Sequence, residues 1–218
     1  MSRIKMIEAI ILAAGQGTRM KSNKAKVLHH LGGKTLLQQV IDAIQPLSTS
    51  INIVIGNDAE LIKNSINSRS ISWVLQKMQL GTGHAIQQAI SNINDEATCV
   101  ILYGDVPLIT TNTIKSLIDK SEKNGFSLLS VLLDDPNGYG RIIRDKKELI
   151  KAIVEDKDAD VNERKINEIN TGIMAIQGSL LMKYIAQLEP NNSQGEFYLT
   201  DIVKIAVEDN VTISSLVC

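Results

Sequence analysis

The earliest segment of the sequence with residues suited to chemistry is a loop of small residues followed by basic side chains. It begins Leu12-Ala13-Ala14-Gly15, and small residues with glycine let backbone N–H groups close around an anion. No acidic residue occurs between Glu8 and Asp42. Arginine and lysine are the side chains that bind phosphates. The sequence therefore predicts a phosphate site rather than a solvated basic loop, with the cations Arg19, Lys21, Lys24, Lys26 and Lys34.

The loop departs from the two common phosphate-binding motifs. A dinucleotide fingerprint would need a glycine where Met20 stands, which argues against a nicotinamide-dependent dehydrogenase. A Walker A loop ending in Gly33-Lys34-Thr35 would need a glycine where Leu28 stands. The sequence therefore indicates an anion site of another class.

Two further polar residues directly follow apolar runs. Tyr103-Gly104-Asp105 ends one run, and a carboxylate there could face phosphates across a Mg²⁺ ion, since Mg²⁺ prefers oxygen ligands. The alternative is that Asp105 caps the next helix. Gln76 ends another run, and its amide carries both a donor and an acceptor for the edge of a base. Taken alone, a glutamine at such a position is usually just solvated.

The elements that must position these residues are apolar runs alternating with helical patterns. The runs are continuous rather than alternating, as in parallel strands covered on both faces. They span residues 7–12, 51–55, 72–75, 99–103 and 127–133, with helical patterns at 36–44, 59–66, 84–93 and 111–123. This order predicts a single α/β domain, Rossmann-like, with a mixed, mostly parallel sheet and helices on both faces. Ligands of such sheets bind at the carboxyl ends of the strands.

The pattern changes after residue 133. A turn-rich stretch containing Gly138-Tyr139-Gly140 leads into two short strands at 141–144 and 149–154 and a longer one at 169–176. Helices at 180–188 and 200–207 and a strand at 211–217 follow. Local pattern alone gives Gly140 a turn role and Tyr139 a packing role.

Composition excludes several classes of protein. The net charge of −1 argues against a general binder of nucleic acid or membrane surfaces, and an aromatic content of 3% argues against a base-stacking platform. No apolar run approaches the length of a membrane helix. Cys99 and Cys218 have no metal-ligand spacing, which fits a reducing cytoplasm.

Beyond these local signals, a set of ordered motifs resembles the signature of sugar-nucleotide pyrophosphorylases. It is most similar to the N-terminal domain of the bacterial bifunctional N-acetylglucosamine-1-phosphate uridylyltransferase/glucosamine-1-phosphate acetyltransferase family. This family has a nucleotide-diphospho-sugar transferase fold. The motifs occupy residues 12–20, 26–28, 76, 79–85, 102–108, 138–142, 153–155, 168–172 and 194–201.

The resemblance implies a reaction and a set of site residues. UTP and N-acetylglucosamine 1-phosphate would give UDP-N-acetylglucosamine and pyrophosphate, for peptidoglycan and lipopolysaccharide precursors in the cytoplasm. Arg19 and Lys26 would be catalytic, and Asp105 would hold Mg²⁺. The nucleotide would contact Leu12, Ala13, Ala14, Gly15, Gln76, Gly81, Thr82, Tyr103, Gly104 and Asp105; the sugar would contact Gly140, Glu155, Asn170 and Thr171. Thr82 could instead cap a helix starting near Gly83.

The sequence also departs from the family. Ala25 stands where the family has proline before Lys26. The family's second metal ligand, an asparagine beyond the last strand, has no counterpart, and no repeat of the acetyltransferase β-helix occurs. We therefore expect residues 1–218 to be the uridylyltransferase domain, cut from a longer protein at its C-terminal edge. Such a chain would be mainly monomeric, unlike the trimeric full-length protein, and would bind nucleotide with reduced transfer and without acetyl transfer.

Two other functions remain open from the sequence. One is a related nucleotidyltransferase with another base or acceptor, such as a cytidylyltransferase or a molybdenum-cofactor nucleotidyltransferase. Such enzymes would share the glycine loop but not the Gly81-Thr82-Gly83-His84 block or the block from Glu168 to Gly172. The other is a non-catalytic module that binds sugar nucleotides, which the unmatched second metal ligand favours.

Overall fold

The structure is a computed structural model that describes residues 5–15, 24–68 and 70–218. Its strands are β1 (Ile7–Ala13), β2 (His30–Leu31), β3 (Lys34–Thr35), β4 (Ser50–Ile55), β5 (Ile71–Leu75), β6 (Thr98–Tyr103), β7 (Phe126–Leu132), β8 (Arg141–Arg144), β9 (Ile150–Val154), β10 (Glu168–Gln177) and β11 (Ser214–Val217). Its α-helices are α1 (Leu36–Ile44), α2 (Ala59–Ser65), α3 (Thr82–Ala89), α4 (Thr111–Ser121), α5 (Gly178–Ile185) and α6 (Asp201–Glu208).

The main sheet is mixed. Its strands lie in the order β11-β7-β10-β6-β1-β4-β5, and the β8–β9 hairpin joins it through β10. β1 pairs in parallel with β4 and β6, and β4 pairs in parallel with β5. β10 runs antiparallel to β6 and β7, so the prediction that β7 belongs to the parallel set was wrong for that pairing. β7 does pair in parallel with β11.

Both faces of the sheet are buried, which explains the continuous apolar runs. Successive residues of β1 enter opposite cores: Ile10 and Leu12 pack in one cluster, and Ile11 and Ala13 pack in the other. A strand with two buried faces has no position at which a polar residue is favoured. The central strands are therefore held rigidly, and their carboxyl ends form a fixed edge.

Helix α1 illustrates how the local sequence sets an element's bounds. Thr35 precedes it, and the Thr35 hydroxyl accepts a hydrogen bond from the Gln38 N–H at 3.1 Å, which caps the first turn. Its buried stripe, Leu37, Val40, Ile41 and Ile44, has helical spacing. The segment Gly33-Lys34-Thr35 thus belongs to a small β2–β3 hairpin and a helix cap.

The antiparallel part of the sheet is braced by a charged pair. The Arg144 guanidinium donates to both carboxylate oxygens of Glu168, at 2.7 and 2.6 Å, and the Ser130 hydroxyl donates to the same carboxylate. This pair ties β8 to β10 and β7.

Within the described ranges, no helix has the length and hydropathy needed to cross a lipid bilayer.

Candidate active site

A cavity of about 470 Å³ opens at the carboxyl ends of β1, β5 and β6. This volume lies in the range of small-molecule sites, and the position is where ligands of open α/β sheets bind. The structure brings together nearly all the residues predicted to contact nucleotide. The predicted residues that line it are Leu12, Ala13, Ala14, Gly15, Lys26, Gln76, Gly81, Thr82, Tyr103 and Asp105.

The rim formed by the end of β1 is fixed by two hydrogen bonds. The N–H of Gly104, a predicted nucleotide contact, donates to the Leu12 carbonyl at 2.9 Å. The Gln79 side-chain amide donates to the Ala14 carbonyl at 2.7 Å. Gln79 was not among the predicted site residues. The feature of the sequence that could have identified it is its place in the 79–85 motif. Arg19 lies outside the described residues.

Lys26 and Asp105 form an ion pair in the cavity. Their Nζ and Oδ2 atoms are 2.5 Å apart, and both side chains are partly exposed. Lys26 opens a short 3₁₀ turn after Ala25, whose φ of −49° is one that proline could adopt. The next α-helix is capped by Thr110, so the alternative in which Asp105 caps that helix was wrong.

Gln76 also lines the cavity and is almost fully buried. Its Nε2 lies 3.2 Å from the Gly81 carbonyl and 3.0 Å from His84 Nδ1. Both amide N–H groups are therefore engaged by the protein. Its Oε1 has no hydrogen bond to another described residue, and so the side chain offers the cavity an acceptor.

The loop at Gly81, Thr82 and Gly83 is held by a segment from far along the chain. The Gly83 N–H donates to the Phe197 carbonyl at 2.8 Å, and the Phe197 N–H donates to the Leu80 carbonyl at 2.8 Å. A Cβ on Gly81 would lie 2.6 Å from the Phe197 oxygen. Glycine is therefore required here by close backbone approach, and by a φ of +107° at Gly81.

The structure corrects the capping role considered for Thr82. Helix α3 begins at Thr82 with Gly81 at the N-cap, and no side chain caps it. The Thr82 hydroxyl instead accepts a hydrogen bond from the Leu199 N–H at 3.1 Å. It therefore joins the cavity wall to the same distant segment.

Tyr103 connects the cavity to the residues predicted to hold the sugar. Its ring lies against Gly172, where a Cβ would be 2.4 Å from Tyr103 Cε2. Burial raises the pKa of Tyr103, the nearby Glu155 and Asp105 carboxylates raise it further, and a hydrogen bond with Thr82 opposes the rise. The carboxylates of Glu155 and Asp105 therefore both act on the Tyr103 phenol.

Three of the four predicted sugar residues lie together beside Tyr103. The Asn170 N–H donates to the Gly140 carbonyl at 2.8 Å, and a Cβ on Gly140 would lie 3.3 Å from Glu155 Oε2. The Thr200 hydroxyl donates to Glu155 Oε1 at 2.9 Å. Asn170 Oδ1 accepts from the Gly172 N–H at 3.0 Å, and its Nδ2 is not bonded to another described residue.

Thr171 and Tyr139 differ from this group. The Thr171 hydroxyl donates to the Leu129 carbonyl at 2.7 Å and accepts from the Ile173 N–H at 3.2 Å. Its side chain therefore fixes the irregular register of β10. Tyr139 is half exposed, so the packing role predicted for it was wrong. Its carbonyl instead accepts a hydrogen bond from the buried guanidinium of Arg141.

Burial raises the pKa of Glu155 above the ordinary value of a glutamate, and the carboxylates of Asp201, Asp158 and Asp156 act in the same direction. The hydrogen bond from Thr200 opposes this rise without removing it. Thr200 was not among the predicted site residues. Its place in the 194–201 motif is the feature of the sequence that could have identified it. Other cavity residues without a predicted role are Val27, Ala85 and Glu196.

The residues present fit a magnesium ion that takes most of its ligands from substrate. Among the described residues, no group of three or more histidine, cysteine or acidic side chains could hold a metal. Asp105 nevertheless presents a carboxylate to the cavity beside Lys26. Mg²⁺ commonly uses one or two carboxylates together with phosphates and waters.

The solved structure of a UDP-glucose pyrophosphorylase in complex with UDP-glucose has the same fold. It superposes with a TM-score of 0.76 at 20% sequence identity, covering 96% of this chain and 90% of that chain. This likeness confirms the predicted nucleotide-diphospho-sugar transferase fold.

Curated relatives named bifunctional protein GlmU match nearly the whole chain. Those of Ruthia magnifica and Vesicomyosocius okutanii are 49% and 50% identical over 98% and 97% of this chain, which corresponds to 47% of each relative. The protein of Marinobacter nauticus is 44% identical over 95% of this chain and 46% of its own length. The chain thus spans about half the length of the curated relatives it matches.

The MobA-like NTP transferase domain family matches residues 9–161, which include β1, the loop after β5 and Asp105. That range contains the whole wall of the cavity except Glu196. The match covers most of the chain, and the cavity lies at the carboxyl edge of the sheet. This protein therefore belongs to the MobA-like NTP transferase domain family and is a nucleotidyltransferase.

Proposed function

We propose that this domain transfers a uridylyl group from UTP to N-acetylglucosamine 1-phosphate. The products would be UDP-N-acetylglucosamine and pyrophosphate. The observation that carries the proposal is a cavity lined by a buried acceptor at Gln76 and by the cation and carboxylate of Lys26 and Asp105, with Tyr103 between this cavity and the polar side chains of Asn170 and Glu155. The relatives named GlmU, at up to 50% identity, support the same assignment.

The base would lie against Gln76 and Gly81. The free Gln76 Oε1 accepts hydrogen bonds, and uracil presents an N–H at N3 where cytosine presents a lone pair. The small residues from Leu12 to Gly15 would let backbone N–H groups approach the phosphates. Tyr103, Gly104 and Thr82 would close the cavity around the ribose and phosphates.

The sugar would lie beside Tyr103, against the predicted sugar residues. The unbonded Nδ2 of Asn170 would donate to the sugar, and Glu155 would accept from a sugar hydroxyl. Gly140 would allow the close approach that a side chain would block. Thr171 would contribute through its backbone, because its hydroxyl is already bonded twice.

The transfer requires no general base, because a phosphate is already ionised near neutral pH. An oxygen of the sugar phosphate would form a bond to the α-phosphorus of UTP in line with the bond to the β-phosphate oxygen. That second bond would break, and pyrophosphate would leave with its electron pair. Catalysis would consist of positioning and charge neutralisation.

Each charged residue would neutralise charge on a different part of the phosphates. Lys26 would stabilise charge near the α-phosphate, and Arg19 would bind the departing pyrophosphate. Asp105 would hold Mg²⁺, which when bound would screen the phosphate charges. This reaction supplies an activated amino sugar to peptidoglycan and lipopolysaccharide synthesis, and we place it in the cytoplasm with the chain as a monomer.

A turnover assay with purified chain tests the proposal. UTP or CTP is combined with N-acetylglucosamine 1-phosphate or glucose 1-phosphate in Mg²⁺, and pyrophosphate release is measured together with the sugar nucleotide formed. We expect UTP with the N-acetylated sugar to be the best pair by at least about tenfold, the effect of one mismatched hydrogen bond. Equal efficiency with CTP would indicate another base, and tight nucleotide binding without turnover would indicate a binding module.

A further inference from the structure

Behind Gln76, a short line of side chains leads away from the cavity. Gln76 Nε2 lies 3.0 Å from His84 Nδ1, and His84 Nε2 lies 3.3 Å from the amide nitrogen of Gln88. His84 and Gln88 occupy successive turns of α3. His84 does not line the cavity, and Gln88 is exposed to solvent.

The hydrogen-bonding capacity of these groups fixes which atom of Gln76 faces the cavity. The Gly81 carbonyl can only accept, so the amide nitrogen of Gln76 must face it at 3.2 Å. The second N–H of that nitrogen points to His84 Nδ1, which must then be the unprotonated ring nitrogen. The ring proton then lies on Nε2. The exposed Gln88 side chain, whose amide nitrogen is placed 3.3 Å from His84 Nε2, must turn to present its oxygen to that proton.

We propose that His84 is a positioning residue that locks the Gln76 amide with its oxygen toward the base, and so makes the site select uracil. The inference rests on the proposed function, because it assumes that a pyrimidine base lies against Gln76. A turned amide would set Gln76 Oε1 against the Gly81 carbonyl, and also against His84 Nδ1 while that nitrogen is unprotonated. The cost of these unsatisfied buried groups, or of moving the ring proton to Nδ1, favours one orientation of the amide.

The orientation matters because a primary amide can match either pyrimidine. With the oxygen toward the base, Gln76 accepts from the N3–H of uracil. With the nitrogen toward the base, it would donate to N3 of cytosine. Selectivity thus depends on the groups behind the amide that decide which end it presents.

A purely structural role for His84 makes a different prediction. Its ring centroid lies 6.4 Å from that of Phe197, with the planes tilted by 33°, so the imidazole also packs against the segment that holds the Gly83 loop. Loss of that packing would lower stability and binding of every nucleotide equally. Loss of the acceptor at Nδ1 would alter the ratio between UTP and CTP.

Two substitutions at this position separate the roles. His84→Phe keeps an aromatic ring but removes the acceptor, and His84→Asn removes the ring but offers an amide oxygen near the place of Nδ1. Steady-state kinetics with UTP and with CTP give the ratio of kcat/KM for each variant. His84→Leu repeats the loss of the acceptor with a smaller side chain, should the phenylalanine variant not fold.

For His84→Phe we expect the KM for UTP to rise about tenfold and the UTP-to-CTP ratio to fall about tenfold, the effect of one hydrogen bond. We expect kcat with UTP to change less than about twofold, since the base is remote from the reacting phosphorus. The asparagine variant should keep the ratio close to that of the parent. Gln88→Ala is the control, because water can replace an exposed contact.

Other results would overturn the inference. An unchanged UTP-to-CTP ratio in the folded phenylalanine or leucine variant would show that Gly81 alone orients the amide. A loss of stability and of binding to both nucleotides that is confined to the asparagine variant, with the phenylalanine variant like the parent, would assign His84 to packing. A parent protein without preference for UTP would overturn the proposed function together with this inference, whereas a parent preference that survives every variant would overturn the inference alone.

Discussion

At the scale of single residues, the site is defined by which hydrogen-bonding groups are left free. Gln76 has both amide N–H groups engaged, Asn170 has its side-chain carbonyl engaged, and the Thr171 hydroxyl both donates and accepts a hydrogen bond. What remains is an acceptor at Gln76 and a donor at Asn170, which the proposed function assigns to the base and to the sugar. Residue type alone therefore does not say what a side chain can offer a ligand.

Replacing Lys26 by alanine is expected to cut kcat/KM about 10²- to 10³-fold, because a preorganised charge near the reacting phosphate would be lost. The melting temperature should change little, since the Lys26–Asp105 pair is partly exposed and such pairs stabilise weakly. Lys34→Ala is the matched control, because Lys34 forms an exposed pair with Asp42 and does not line the cavity. Equal losses in both variants would indicate only a general effect of positive charge.

Glu155→Gln should stabilise the fold near neutral pH while weakening the binding of the sugar phosphate. A raised pKa means that the folded state keeps its proton to higher pH than the unfolded chain, so stability falls as pH rises from the ordinary glutamate pKa through the raised one. Glutamine cannot ionise and avoids that loss. The loss of a charged acceptor should raise the KM for the sugar phosphate roughly tenfold.

Thermal melts of this variant from pH 4 to pH 8 provide the check. The variant's advantage in melting temperature should be full near pH 8 and disappear below the ordinary pKa of glutamate. Glu208→Gln, an exposed substitution on α6, should show no such dependence. An advantage for Glu155→Gln that is the same at every pH would refute the electrostatic explanation.

At the scale of elements, the loop before α3 is held by contacts that the strand pattern does not contain. A Cβ on Gly83 would lie 2.4 Å from Leu188 Cδ1 and 2.8 Å from the Phe197 carbonyl oxygen. The second neighbour is backbone and cannot turn aside. The glycines of this loop are therefore needed for packing, independently of the contact with nucleotide that the proposed function gives them.

Gly83→Ala should lower the free energy of unfolding by about 1–3 kcal/mol, as overpacking usually does, and should weaken UTP binding. The control is Gly33→Ala, which has open space around its Cβ but a φ of +86°. It should cost about 1 kcal/mol through backbone strain alone and leave UTP binding unchanged. Urea unfolding and calorimetric titration measure both quantities. Unchanged UTP affinity in Gly83→Ala would mean that the Phe197 contact does not shape the site.

The sequence predicted the parallel centre of the sheet because continuous apolar runs are typical of strands buried on both faces. It could not predict that β7 pairs antiparallel to β10, since a strand's own residues do not specify the direction of its neighbour. The β2–β3 hairpin was missed because strands of two residues carry no periodicity. Motif resemblance found the cavity residues, whereas the partners of Gln76 and Gly83 depend on tertiary contacts.

At the scale of the whole molecule, the two cores share the same strands. Neighbouring residues of β1 enter opposite clusters, and β6 does the same with Ile101 and Leu102. Neither core can be lost while the other keeps its strands. The fold should therefore unfold as one unit.

Trp73 offers a local probe of this cooperativity. It lies on the edge strand β5 and packs against one core, whereas far-UV circular dichroism reports all elements. The urea transitions followed by Trp73 fluorescence and by circular dichroism should coincide. An earlier fluorescence midpoint would show that β5 and its neighbours separate first.

The contact between Thr82 and Leu199 spans 117 residues of chain, and this separation affects the order of events during synthesis. As the polypeptide leaves the ribosome, β1, β4, β5 and β6 can already pair, because they come from its first half. The wall around Gly81 and Gly83 cannot take its final form until Phe197 and Leu199 have emerged. A nascent chain would thus carry a formed sheet before it carries a competent nucleotide site, and UTP could stabilise the protein only after nearly all of this domain has been translated.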